Sequence, residues 1–252
     1  LFVVARTLRR FNLVDSFGLG QLVEKDRLPS RMLVARKIVE SGTLLPRGIS
    51  AKFLAENIVG DLRASEGDDA EADQKLLRLV AGLSRIPKGK KDAGRFHTAI
   101  LNIFPLLFAQ RLGAIDKEEP IFGKLKRLDL KAANDQEDGF FVNLREHYSL
   151  YCPYVFFECK NYKGDLENPE FDQLMTRLNR TSTQVGYIVC RQIEDVEKAI
   201  KHCKEPFLRE DKKLMMWLTD ADLIELANAR VNEGVAALDS LLIQRLETVI
   251  LK

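Results

Sequence analysis

Pro153-Tyr154-Val155-Phe156-Phe157-Glu158-Cys159-Lys160 is a β-branched and aromatic run that ends in charge. Such composition reads as a buried strand. Side chains alternate along a strand, so Glu158 and Lys160 share one face and Cys159 points to the other. A carboxylate at the end of an apolar strand must be paired, hydrogen-bonded or bound to a cation. A structural salt bridge and a solvated strand end remain alternatives for this pair.

Working outward, Leu125 to Lys131 alternates apolar and charged residues and reads as a second strand, with Asp129 near its end. If the two strands are neighbours, Asp129 comes near Glu158. Two carboxylates brought together repel unless a cation lies between them, and hard divalent ions suit such oxygen donors. Beyond Lys160, Asn168-Pro169 opens a helix expected to reach Arg180, with Glu170 and Asp172 in its first turn. Val185 to Cys190 and Leu214 to Leu218 read as further buried strands, Glu194 to Leu208 as a helix between them, and Asp220 to Ala229 and Val235 to Leu251 as closing helices. Upstream, a helix is expected from Gly94 to Leu112, capped by Asp92, with a short strand near Pro120-Ile121-Phe122. Phe140-Phe141 after Gly139 reads as a hairpin or core feature. Strands alternating with helices predict an α/β fold with a mixed central sheet flanked by helices.

Residues 1–90 have a different texture. Helical spacing recurs over Met32 to Ile38, Ala51 to Leu62 and Leu76 to Leu83, so an all-helical region is expected there. The turn-prone basic joint Pro87 to Lys91 sets the expected boundary, with a second domain over 91–252.

The 252 residues are 46% hydrophobic and 30% charged, which fits a chain with a real core. A net charge of +2 gives no global field to attract nucleic acid, so a binding surface would need local segregation of charge. The four cysteines have no CxxC spacing, so neither a zinc cage nor a disulfide framework is expected; reduced thiols and a cytoplasmic location are. The apolar stretches are too short and interrupted for a membrane span.

Arg127-Leu128-Asp129 followed by Val155-Phe156-Phe157-Glu158-Cys159-Lys160 resembles the PD-(D/E)xK nuclease superfamily, and is closest in texture to restriction-endonuclease-like enzymes. The resemblance covers roughly residues 92 to 192. It implies a restriction-endonuclease-like core, with Asp129 and Glu158 binding Mg²⁺ or Mn²⁺ and Lys160 assisting hydrolysis of DNA phosphodiesters. Gln173 resembles a glutamine that several members carry on the helix after the motif. Restriction or antiphage defence is a role the resemblance implies. RNA stays open as a substrate, as does a catalytically inactive member that binds nucleic acid or a protein. The helix from Gly94 lacks the acidic residue many members carry there; His97 and Asn102 are its nearest polar residues, and His97 is expected to be a structural histidine. Lys126, Arg127 and Lys131 around Asp129, with Asn161 and Arg177, are expected to contact nucleic acid. His147 and His202 are expected at the surface. The N-terminal helices or the C-terminal helix are candidate surfaces for a second copy or a partner subunit.

Overall fold

The computed structural model describes residues 69–121, 126–136 and 138–251, and the side chains among them apart from those of 116–121 and 126–128. The expected helices over Met32 to Ile38 and Ala51 to Leu62 lie outside the described residues. The chain divides into two compact units, Leu1–Ala72 and Asp73–Lys252. Of the first unit, 69–72 are described and are helical; the second is treated below.

Its elements are α1 (73–82), α2 (Ala93–Leu107), β1 (Ile115–Ile121), β2 (Lys126–Ala133), α3 (Phe140–Glu146), β3 (Tyr154–Lys160), α4 (Asn168–Met175), β4 (Val185–Cys190), α5 (Val196–Leu208), β5 (Leu214–Leu218), α6 (Asp220–Glu233) and α7 (Val235–Leu251). The fold is α/β. Five strands form one sheet in the order β1-β2-β3-β4-β5. β2 runs antiparallel to both β1 and β3, and β3, β4 and β5 run parallel. β3 is thus the strand at which the sheet changes character.

Each parallel pair needs a crossover, and right-handed crossovers that advance in one direction drop their helices on one face. Accordingly α4 and α5 cover the same side. There Phe156, Phe171, Leu174, Leu178, Ile188, Cys203 and Met215 form a small core. The opposite face carries the larger core, in which Leu76, Val80, Phe96, Phe104, Phe108 and Leu242 close over Val155, Phe157, Tyr187 and Met216. Its centre is a chain of aromatic contacts: Phe104 lies edge-on to Phe157 at 4.8 Å, and Phe157 stacks on Tyr187 at 5.4 Å. Burying one such ring contributes about 2–3 kcal/mol. Every residue of β4 is buried, as a central parallel strand covered on both sides requires.

Gly186 on β4 permits a close approach. A Cβ there would lie 2.8 Å from one methyl of Leu174 and 3.1 Å from one of Leu178. Its bare backbone therefore lets α4 and the turn after it settle close to the sheet.

Three local expectations are corrected. The first helix ends at Leu107 rather than Leu112, and Asp92 makes no side-chain cap; its carboxylate accepts from Arg95 at 2.8 Å instead. Phe140 and Phe141 open a short helix rather than a hairpin, while both enter the large core, the other reading expected of them. The helix after Lys160 ends at Met175, not Arg180, which throws Arg177 into the following turn. Pro87 to Lys91 lies inside the second unit, because Gly89 N donates to Asn161 O at 2.8 Å and the Asn161 amide donates to Pro87 O and Gly89 O at 3.0 and 2.9 Å. Among the described residues no helix is long and apolar enough to cross a membrane.

Candidate active site

The antiparallel register between β2 and β3 runs from Ala133 opposite Tyr154 to Leu130 opposite Phe157. One step further sets Asp129 across from Glu158 on the same face, the separation at which cross-strand side chains interact. There the ladder stops. The Cys159 amide, which a longer ladder would pair with β2 backbone, donates to Asp129 Oδ2 at 2.8 Å. Asp129 thus caps the point where the two strands part. His97 Nε2 on α2 lies 3.1 Å from Asp129 O and fixes the same residue from the opposite layer.

Glu158 is 1% exposed, so its charge needs a partner. Arg177, 6% exposed, supplies one: its Nη1 pairs directly with Glu158 Oε1. Lys160 Nζ stands 3.9 Å from Glu158 Oε2 and donates to Gln173 Oε1 at 2.7 Å. Gln173 and Arg177 are four residues apart, so both reach β3 from the same side of α4 and its closing turn. The result is a cluster of two carboxylates and two cations, at the carboxyl end of a parallel strand beside a strand that runs the other way. Open α/β sheets place ligands outside the carboxyl ends of their parallel strands.

Burial pulls the Arg177 guanidinium below its ordinary value, and the charge of Asp129 acts against that. Asp129 therefore lies within the electrostatic reach of Arg177 as well as opposite Glu158. Burial also pushes the Cys159 thiol well above its ordinary value, with Asp129 adding to the effect and Lys160 opposing it.

The other expected site residues fall elsewhere. Arg177 was expected to meet nucleic acid on a rim; it is buried inside the cluster. Asn161 is 2% exposed and wholly engaged within the protein, its Oδ1 accepting from Arg191 Nη1 at 2.8 Å. Lys131 lies over the Tyr154 ring at 4.9 Å, on the same sheet face as Asp129 but further along β2. Lys126 and Arg127 are in β2, and their side chains lie outside the described ones. His147 is exposed, whereas His202 is partly covered and stacks on Phe171 at 4.7 Å.

Sequence reasoning missed Arg177 as a partner of Glu158. Its spacing from Gln173 carried the signal, but the early end of α4 decides where the side chain goes. It also missed Arg191, a second buried arginine. Arg191 donates to Asp220 Oδ2, Ile86 O and Asn161 Oδ1, each at 2.8 Å, and to Leu83 O at 2.9 Å.

A divalent ion can be tested against the donors present. Asp129 and Glu158 are hard carboxylates on one face of neighbouring strands, which fits Mg²⁺ or Mn²⁺. Among the described residues no group of three His, Cys, Asp or Glu side chains converges on one point, so main-chain oxygen and water would complete the shell. No family model matches the chain, and neither a curated protein nor a solved structure does.

Proposed function

We propose that this protein is a restriction-endonuclease-like, metal-dependent nuclease that hydrolyses DNA phosphodiester bonds. The observation that carries the reading is the placement of Asp129 across from Glu158 where β2 and β3 part, with Lys160 beside Glu158 on the same face. Asp129 and Glu158 would hold Mg²⁺ or Mn²⁺, which when bound polarises a phosphate and lowers the pKa of an attacking water. Lys160 presents an ammonium next to the position where the transition state gathers negative charge. Gln173 is a positioning residue, since its Oε1 fixes the direction of the Lys160 ammonium. Glu158, sealed on the sheet, is flanked by the cations of Lys160 and Arg177.

The test is cleavage of plasmid DNA with Mg²⁺, Mn²⁺ or chelator. We expect cleavage that needs the metal and falls at least about 100-fold in Asp129→Ala and Lys160→Ala, as loss of a group acting on the transition state does. Cleavage persisting in both variants overturns the assignment.

One observation favours a second reading, a catalytically inactive member that binds nucleic acid or a protein. The Glu158 carboxylate is already paired with Arg177. On this reading the cluster serves as a buried structural network. Mn²⁺ binding that is lost in Glu158→Ala supports the nuclease; absence of Mn²⁺ binding supports the inactive module.

A further inference from the structure

Arg177 occupies an unusual place. It lies past the end of α4, and its guanidinium meets Glu158 Oε1 and feels the charge of Asp129. A monovalent cation of this chain thus lies against the two carboxylates that would hold a divalent one. A divalent ion on the same Glu158 oxygen would lie against a like charge, so the two compete for it. Resting on the nuclease reading above, we propose that Arg177 is the resident counter-cation of the metal seat, and that a divalent ion enters by displacing it.

Three features make displacement feasible. First, the Arg177 side chain is buried, so its guanidinium gains hydration on leaving. Second, Arg177 lies two residues past the end of α4, where its N–H bonds Leu174 O at 2.9 Å, so the side chain can swing without unwinding the helix. Third, Lys160 is tied to Gln173 and stays behind as the second cation near Glu158. Arg177 therefore neutralises Glu158 when the metal is away and sets the metal concentration at which the seat fills. If Arg177 holds the seat nine-tenths of the time, apparent metal affinity falls about tenfold.

The experiment is Mn²⁺ titration by calorimetry of the full chain and of Arg177→Gln, with Asp129→Asn/Arg177→Gln as the reference for binding elsewhere. The expected result is Mn²⁺ affinity about tenfold higher in Arg177→Gln than in the parent, and lost in the double variant. Equal or weaker binding in Arg177→Gln overturns the proposal while leaving the nuclease reading intact, provided the binding needs Asp129. Binding indifferent to Asp129 in every variant overturns both. A measurement on the unaltered protein guards against misfolding of the variant: the Arg177 Nε–H signal in NMR should lose protection from solvent exchange as Mg²⁺ is added. Full protection at saturating Mg²⁺ sinks the displacement.

Discussion

Two arginines, Arg177 in the turn between α4 and β4 and Arg191 directly after β4, are buried to the same extent, 6% exposed each. Arg191 makes four hydrogen bonds. Its guanidinium binds a carboxylate, a side-chain amide and two main-chain carbonyls, and lies over Phe96 at 5.1 Å. It ties the end of α1 and the 3-10 turn Leu83–Arg85 to the strand end at β4 and to the start of α6. Arg177 instead leans on one carboxylate, beside a second. Equal burial therefore conceals unequal commitment. A cation tied to four fixed partners is part of the framework; one that leans on a carboxylate can be exchanged for another cation.

The largest effect should come from Arg191. Arg191→Met strands Asp220, Asn161 and two carbonyls, and is expected to cost about 3–5 kcal/mol in urea denaturation, the range for breaking a buried pair. Arg177→Gln should cost clearly less, because Lys160 remains near Glu158, and Mn²⁺ should recover part of the loss. Equal losses, with no recovery by metal, would erase the distinction between the two arginines.

A smaller effect is expected at Gln173. Gln173→Leu removes the acceptor of Lys160, and should leave stability within about 1 kcal/mol while lowering cleavage about tenfold at saturating Mg²⁺. Restoration of the rate by Gln173→Glu would confirm that it acts by aiming the ammonium; unchanged cleavage in Gln173→Leu would remove Gln173 from the site.

The smallest concerns Asp220, the carboxylate partner of Arg191. Burial raises its pKa above the ordinary 3.8, outweighing Arg191 and Lys88. The folded protein then binds this proton more readily than the unfolded chain. Its contribution to stability is greatest below 3.8 and declines as pH rises through the raised value. Stability followed from acid toward neutral pH should show this decline in the parent and not in Asp220→Asn. A parallel course in both would mean that Arg191 fully compensates the burial of Asp220.

Much of the fold is local in origin and could be read along the chain. The apolar runs at 153–160, 185–190 and 214–218 are strands, and the alternation around Asp129 belongs to β2. What escaped was set by distance in space. The seven-residue α3 is too short to show a period, and takes its helical form from burying Phe140 and Phe141. The carboxylate pair and its lysine could be named because a strand's face follows from parity. Arg177 could not be placed, since that required knowing that α4 stops at Met175. Asn161 looked like a polar loop residue beside the motif; its partners come from Pro87, Gly89 and Arg191, which only folding brings together.

Gly186 gives the last feature its consequence. The methyl group missing from β4 is what lets Leu174 and Leu178 ride low, and Gln173 and Arg177 ride with them. Reach in this cluster is thus tuned from beneath, by the thickness of the floor on which the helix rests. A lineage could detune ion exchange and ammonium aim together by adding one carbon at a place that touches no charge.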